Sequence, residues 1–148
     1  MTLLQELARV STIFLDTAPV IYYIEAHPRF GPLAREVVTA FQSERVKAFS
    51  SVMTLAEVVA KPVELGDEKL ARKFAEFLKA GRNLTLVEIS ASIAERAGRL
   101  RGRYPPLRTI DAVQIAAALY VGADAFITND VKLRRIREVR ILILKDHL

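Results

Sequence analysis

Residues 107–119 read LRTIDAVQIAAAL, and this stretch determines much of the fold. After Asp111, the only polar residue in this stretch is Gln114. A helix over residues 111–121 would therefore be apolar on almost every side. A helix of that kind is buried in a core or lies in a membrane. A membrane span requires roughly 18 to 20 apolar residues, which this stretch does not reach. The pattern therefore predicts a helix packed inside the protein.

Short apolar runs and helical segments alternate on both sides of this helix. Strands are expected at residues 12–15, 46–50, 84–89, 125–128 and 139–144. The other helices are expected at residues 19–25, 33–42, 54–59 (stopping near Lys61-Pro62), 67–79 and 90–101. The alternation predicts a single α/β domain over residues 1–148. Its central sheet should be mostly parallel, with about five strands and with helices on both faces.

The composition limits the classes of function. The 148 residues include no cysteine, which excludes disulfides and thiol chemistry and favours a cytoplasmic location. The first residues carry an acid at Glu6 and no basic run, so neither a signal peptide nor a membrane segment is expected. With 51% hydrophobic residues, the chain has an apolar excess that favours a homodimer. Val20, Tyr22, Tyr23 and Ile24 are among the residues expected at its interface.

Four acidic residues stand where an apolar run gives way to a turn or to the start of a helix. They are Asp16 in IFLDTAP, Glu57 in VMTLAEVV, Asp111 in LRTIDAVQIAAAL and Asp130 in AFITNDVKL. Parallel sheets bind ligands beyond the carboxyl ends of their strands, so all four could point into one crevice. Carboxylates gathered in this way need a cation to neutralise them. The pattern indicates a site for a hard cation, Mg²⁺ or Mn²⁺.

Helix capping is the competing explanation for each acid taken alone, and we weigh it about evenly. Asp and Glu are normal at helix N-termini. Thr54 with Glu57 has the spacing of a capping box, and Asp111 with Gln114 has a variant of it. Capping explains less easily why an acid occupies the first turn of an otherwise buried helix.

The charge balance suits a polyanionic ligand. The chain has 22 basic and 17 acidic residues, for a net charge of +5. Setting the four acids aside leaves 22 basic against 13 acidic residues, a balance of +9. A basic body around an acidic pocket favours a polyanion, although solubility explains the charge equally well. A cluster of arginines precedes the buried helix and is a candidate for phosphate contacts or a solvated face: Arg96, Arg99, Arg101, Arg103 and Arg108.

Other kinds of site find little support. His27 and His147 have no cysteine partner and no zinc-site spacing. The glycine-rich loops that cradle nucleotides are absent.

Four segments in this order resemble the PIN domain, in particular the VapC-type toxins of bacterial and archaeal toxin–antitoxin pairs. They are FLDTAPVIYYIE (14–25), TLAEV (54–58), RTIDAVQIAAAL (108–119) and ADAFITND (123–130), and the similarity extends over about residues 12–144. The resemblance implies an endoribonuclease that depends on Mg²⁺ or Mn²⁺. The family's four acids correspond to Asp16, Glu57, Asp111 and Asp130, which would be both catalytic and metal-binding. It also implies an RNA substrate, a homodimer and a cognate antitoxin of the VapB type.

The alternatives are a free-standing PIN nuclease in RNA processing and a non-catalytic binding module with a PIN-like fold. LDT after an apolar strand also resembles the nucleophile motif of haloacid-dehalogenase-like phosphatases, but Ala18 stands where that motif needs a second aspartate. In the nuclease hypothesis, Thr17, Thr128 and Asn129 would orient the carboxylates. The same three residues would serve equally well in turns and caps.

Overall fold

Five parallel strands form the central sheet of the protein, whose computed structural model describes residues 1–148. The strands are β1 (Thr12–Leu15), β2 (Lys47–Ser51), β3 (Leu84–Val87), β4 (Ala125–Thr128) and β5 (Arg140–Ile143). Their order across the sheet is β3-β2-β1-β4-β5, and every neighbouring pair is parallel. The predicted α/β class is confirmed. Because the strand order reverses between β1 and β4, the ligand crevice of such a sheet is expected at the carboxyl ends of these two strands.

Helices cover both faces of the sheet. The α-helices are α1 (Leu3–Leu7), α2 (Thr17–Ile24), α3 (Gly31–Gln42), α4 (Val52–Glu64), α5 (Glu68–Ala80), α6 (Ala91–Arg103) and α7 (Thr109–Tyr120). Two short 3-10 helices, Val131–Arg135 and Leu144–His147, follow β4 and β5. No helix combines the length and the apolar character that crossing a membrane requires.

The sequence prediction was wrong about two helices. Helix α1 was not predicted, although Thr2 and Gln5 form a capping box that begins it and Leu3 and Leu7 are buried. Helix α4 does not stop near Lys61-Pro62 but continues through Pro62 to Glu64. Pro62 lacks the N–H that would bond to the preceding turn. Its ring is buried, and the helix ends two residues later, so packing offsets the lost hydrogen bond.

The strands alternate their side chains between two apolar cores. Ile13 and Leu15 of β1 point into a cluster of 20 buried residues shared with helices α1 to α5. Phe14, between them, points into a second cluster of 16 buried residues shared with α6 and α7, where its ring stacks on Phe126 at 5.6 Å. The alternation follows from the two-residue period of a strand. Both faces of β1 are therefore fixed by packing.

Helix α7 is buried along eight consecutive residues, from Asp111 to Ala118. The prediction that this helix lies inside the protein is confirmed. Ala112, Ala116 and Ala117 have no exposed surface, and small side chains of this kind let a helix backbone approach a sheet closely. This packing fixes the first turn of α7, which carries Asp111, against the edge of the sheet.

Asp124 holds the starts of β1 and β4 together. Its Oδ2 atom accepts hydrogen bonds from the backbone N–H groups of Ser11 (2.8 Å) and Thr12 (3.0 Å). These bonds hold the pKa of the Asp124 carboxyl below its usual range. Because the two strands start together and run parallel, their carboxyl ends also meet, which brings Asp16 close to Thr128.

The residues of α2 that we expected at a subunit interface contribute to the chain's own core. Val20 is buried, and Tyr22, Tyr23 and Ile24 pack against the larger apolar cluster while partly buried. The exposed large apolar side chains within the helices lie elsewhere: Leu4, Val63, Tyr120 and Val131.

Candidate active site

A cleft of about 840 Å³ opens at the carboxyl ends of β1 and β4, and all four predicted acids line it. Asp16 follows β1, and Asp130 comes two residues after β4. Asp111 lies in the first turn of α7, and Glu57 lies on the second turn of α4. The chain thus brings together side chains that are far apart in sequence, at the place where a parallel sheet binds its ligands.

Asp16 is the acid of the cleft whose ionised form is destabilised by its surroundings. Its Oδ1 atom accepts a hydrogen bond from Thr17 N at 2.9 Å, and its Oδ2 atom accepts one from the Thr128 hydroxyl at 2.8 Å. Burial nevertheless raises the pKa of Asp16 to about 6, because desolvation outweighs these two bonds. The negative charges of Asp111 and Glu57 raise it further. A cation in the cleft would relieve both effects.

Glu57 is not a capping residue. Ser51 is the N-cap of α4, and its hydroxyl oxygen accepts a hydrogen bond from Met53 N at 3.1 Å. The capping box suggested by Thr54 and Glu57 is therefore absent. The Glu57 carboxylate instead accepts a hydrogen bond from the Thr17 hydroxyl at 2.5 Å, across the cleft mouth from α2.

Asp111 does not cap α7 either. Arg108 is the N-cap of that helix, and no side-chain hydrogen bond caps it. Asp111 is only 7% exposed, and both of its carboxylate oxygens are bound by Arg108, at 2.9 Å from Nε and 3.2 Å from Nη2. Arg108 itself is largely exposed. Its guanidinium therefore balances a buried carboxylate from the solvent side.

Asp130 does act as a cap. Its Oδ1 atom accepts a hydrogen bond from Lys132 N at 3.0 Å, at the start of the 3-10 helix Val131–Arg135. The Thr128 hydroxyl oxygen accepts a bond from Asp130 N at 3.1 Å. Capping thus describes part of what Asp16 and Asp130 do, but it does not describe Glu57 or Asp111.

The three residues expected to orient the acids differ in what they contact. Thr17 and Thr128 donate directly to Glu57 and Asp16. Asn129 makes no bond to the four acids. It donates to the Tyr22 hydroxyl at 3.1 Å and accepts from Lys145 N at 2.8 Å. Asn129 therefore joins the end of β4 to α2 and to the C-terminal 3-10 helix.

Of the five arginines predicted to contact phosphates, only Arg108 lines the cleft. The other four lie on α6. There, Arg99 pairs with Glu95 at 3.4 Å and Arg103 with Glu138 at 2.6 Å.

Two further cations line the cleft that the sequence analysis did not single out, Lys132 and Arg135. The available signal was the basic run that begins two residues after Asp130.

The donor set suits a hydrated hard cation better than a closed cage. No group of three or more Asp, Glu or His side chains is arranged so that it could hold a metal ion. Mg²⁺ keeps several water ligands and commonly uses only one or two carboxylates. The cleft offers oxygen donors of this type, and Asp16 carries a charge that a cation would stabilise. The residues present therefore fit Mg²⁺ or Mn²⁺ bound largely through water.

Several solved structures have a similar fold. The VapBC2 complex of Rickettsia felis, bound to a promoter DNA fragment, matches with a TM-score of 0.72 and 20% identity, covering 89% of this chain and 98% of that one. DNA-bound VapBC of Salmonella typhimurium matches with a TM-score of 0.72 and 21% identity, covering 90% and 98%. VapC20 of Mycobacterium tuberculosis, described as a toxin that cleaves the sarcin–ricin loop, matches with a TM-score of 0.67 and 18% identity, covering 86% and 98%. At these identities the likeness shows the fold.

No curated protein matches the sequence. The PIN domain family, in contrast, matches residues 13–139, a range that contains β1 except for Thr12, all of β2, β3 and β4, and all four acids of the cleft. The chain belongs to the PIN domain family.

Proposed function

We propose that this protein is an endoribonuclease that depends on Mg²⁺ or Mn²⁺ and acts as the toxin of a VapBC-type pair. The observation that carries the proposal is the cleft that four carboxylates line, among them Asp16, whose pKa is raised to about 6 by desolvation. Membership of the PIN domain family supports a nuclease. The similar folds of VapC toxins, one of them described as cleaving RNA of the sarcin–ricin loop, support the toxin role.

In the proposed reaction, the carboxylates would hold the cation and the cationic side chains would hold the RNA. When bound, Mg²⁺ or Mn²⁺ would lower the pKa of a water ligand and neutralise charge on the phosphate. Asp16 and Glu57 are held in place by the Thr128 and Thr17 hydroxyls, which donate to them. No side-chain nucleophile is needed, since a water molecule hydrolyses the phosphodiester.

RNA phosphates would be bound by the cations that line the cleft. Arg108, Lys132 and Arg135 stand beside the acids, and a cationic lining of this kind both attracts and positions a phosphate backbone. The arginines of α6 that do not line the cleft, Arg96, Arg99, Arg101 and Arg103, remain a predicted second contact. They would meet only an RNA that extends beyond the cleft.

The remaining hypotheses lack an observation that favours them. A non-catalytic binding module would gain nothing from placing both the buried Asp111 and the half-buried Asp16 on one cleft, because removing carboxylates from water destabilises a fold. A free-standing PIN nuclease would have the same cleft, and only its partners would distinguish it from a toxin.

We also propose a homodimer with a VapB-type antitoxin as its partner, in the cytoplasm. The exposed apolar side chains of α1 and α4, Leu4 and Val63, are surfaces that a second copy or a partner would cover. Sedimentation velocity at micromolar concentration should show a species twice the 16.5 kDa of one chain. A monomer alone would contradict the dimer. Failure of the product of the adjacent reading frame to bind and inhibit the nuclease would contradict the toxin role.

Substitutions that keep capping ability but remove charge test the active site. Glu57→Gln and Asp111→Asn should reduce RNA cleavage by orders of magnitude, because each removes a negative charge from a hard-cation site. Added Mn²⁺ should raise the melting temperature of the wild type by mass action and that of the variants much less. Cleavage rates and melting curves with and without Mn²⁺ measure both effects.

Asp67→Asn is the matched control for these variants. Asp67 caps α5 by accepting a hydrogen bond from Leu70 N at 3.0 Å, and it lies outside the cleft. Because Asn caps about as well as Asp, this variant should keep full activity and the full Mn²⁺-induced shift. If Glu57→Gln and Asp111→Asn behave like the control, the active-site assignment is wrong.

The raised pKa of Asp16 makes the stability of the metal-free protein depend on pH. The pKa rises from 3.8 to about 6 on folding, so the folded state binds this proton more tightly than the unfolded chain does. The contribution of Asp16 to stability should increase as the pH falls from about 7 to about 4, by at most about 3 kcal/mol. Thermal melting in EDTA measures it. Asp16→Asn should melt higher than the wild type at pH 7, and equal or lower melting would contradict the assigned shift.

The salt dependence of RNA binding tests the phosphate contacts. Lys132→Ala and Arg135→Ala should each weaken binding and flatten the slope of log K against log salt by about 0.7 for single-stranded RNA. Lys79→Ala, in an exposed position near the end of α5, is the control and should change neither. Arg99→Ala and Arg103→Ala test the arginines of α6 in the same assay. An unchanged slope for either pair would show that its residues form a solvated surface.

A further inference from the structure

A cluster of buried polar side chains lies behind the cleft, on β2 and on the two helices that carry Glu57 and Asp111. Ser50 and Ser51 end β2, Thr54 lies in the first turn of α4, and Gln114 lies in the middle of α7. All four are at most 1% exposed. No buried side-chain nitrogen or oxygen lacks a hydrogen-bond partner, so the cluster is fully satisfied.

The cluster is one continuous chain of hydrogen bonds. The Gln114 side-chain amide donates to Thr54 Oγ1 at 2.6 Å and accepts from the Ser51 hydroxyl. Ser50 Oγ lies 3.0 Å from Thr54 Oγ1 and 2.8 Å from the backbone carbonyl oxygen of Leu15. The chain therefore runs from α7 through α4 and β2 to the last residue of β1.

The proton count allows only one direction along this chain. The Leu15 carbonyl can only accept, so it takes the single proton of the Ser50 hydroxyl. Thr54 must then supply the proton of its bond to Ser50, which leaves Thr54 Oγ1 to accept from the Gln114 amide. Reversing the amide of Gln114 would take the Thr54 proton away and leave the Ser50–Thr54 pair without one. The chain of hydrogen bonds therefore requires a side chain at residue 114 that both donates and accepts.

Three members of this chain lie one helical turn, or one residue, from an acid of the cleft. Gln114 follows Asp111 by three residues on α7, and Thr54 precedes Glu57 by three residues on α4. Residues three apart lie on the same side of a helix. Leu15 directly precedes Asp16. The hydrogen-bond chain therefore sets the distances among the three elements that hold Asp16, Glu57 and Asp111.

We propose that Gln114 is a positioning residue for the metal site, acting through Thr54 and Ser50, an inference that rests on the proposed function. Gln114 is the only polar side chain besides Asp111 among the buried residues of α7. An apolar residue of similar size would fill the same space without the cost of burying an amide. Apolar packing tolerates small displacements, whereas hydrogen bonds lose strength quickly with distance and angle. The amide therefore holds the acids at fixed separations, which a carboxylate site for a metal requires.

The test compares variants that break the chain with variants that keep it. Gln114→Met and Thr54→Val remove a link at similar side-chain volume, while Thr54→Ser keeps the hydroxyl. Ile115→Val shortens a fully buried side chain of α7 that has no polar atom, so it controls for lost stability. Measurements are the Kd for Mn²⁺ in RNA-free protein, kcat and KM for RNA cleavage, and the melting temperature. All are made well below the lowest melting temperature in the set.

The variants that break the hydrogen-bond chain should differ from those that keep it in Mn²⁺ affinity and in kcat. Gln114→Met and Thr54→Val should raise the Kd for Mn²⁺ and lower kcat by about 10- to 100-fold, with KM for RNA little changed. Thr54→Ser should restore the wild-type Kd and kcat. Ile115→Val should melt lower than the wild type yet bind Mn²⁺ equally well. If Gln114→Met does not fold, Thr54→Val against Thr54→Ser gives the same comparison.

Two failures are distinguishable. Wild-type protein that neither binds Mn²⁺ nor cleaves RNA overturns the proposed function and, with it, this inference. Wild-type protein that does both, while Gln114→Met and Thr54→Val lose only melting temperature, overturns the inference alone. In that case the hydrogen-bond chain serves folding and not the metal site.

Discussion

The burial of α7 is the constraint on which the site depends. A helix that is buried at eight consecutive residues, from Asp111 to Ala118, can carry a polar side chain there only where that side chain finds a partner. Asp111 finds Arg108 at the cleft, and Gln114 finds Ser51 and Thr54 behind it. The same burial that forms the smaller apolar core therefore fixes where an acid can stand at the carboxyl edge of the sheet. Everything else in the cleft is arranged around that point.

Charge is the second constraint, and it opposes the first. Asp111 is buried, Asp16 is half-buried and Glu57 is exposed, and carboxylates near one another destabilise a fold. The structure lessens this cost in different ways: hydroxyl donors for Asp16 and Glu57, and a guanidinium for Asp111. It does not remove the cost, since the pKa of Asp16 still rises to about 6. A residual cost of this kind is typical of sites that bind a ligand of opposite charge.

The sequence predicted well whatever depends on local pattern. The five strands and six of the seven α-helices follow from apolar runs, periodicity and turn residues, and their parallel order follows from the alternation of elements. The short helix α1 was missed although Thr2 and Gln5 give the local signal of a capping box. The passage of α4 through Pro62 depends on tertiary burial of that ring, which the local sequence does not record.

The sequence singled out the residues of the site that lie close along the chain to the end of an apolar element. Asp16, Glu57, Asp111 and Asp130 were visible in this way, and so were Thr17, Thr128 and Arg108, which line the same cleft. Which of these residues bond to one another was not visible. Lys132 and Arg135 reach the cleft because the 3-10 helix after β4 folds back to it, and the pairing of Arg99 and Arg103 with glutamates depends on the surface of α6. Contacts between secondary-structure elements can be identified only once the three-dimensional fold is known.

One carboxylate can both cap a helix and bind a metal, and the four acids differ in whether they cap. Asp16 and Asp130 each use one oxygen, Oδ1, for a backbone N–H. For Asp130 no hydrogen bond engages the second oxygen, and for Asp16 that oxygen accepts only from Thr128. Asparagine would keep the capping oxygen and lose the charge, so at these two positions only the charge distinguishes a metal ligand from a cap. At Glu57 and Asp111 no backbone N–H is capped, and their partners are side chains, the Thr17 hydroxyl and the Arg108 guanidinium. Capping therefore gives no reason for a carboxylate at these two positions, and a loss of metal binding on removing their charge could not be attributed to a lost cap.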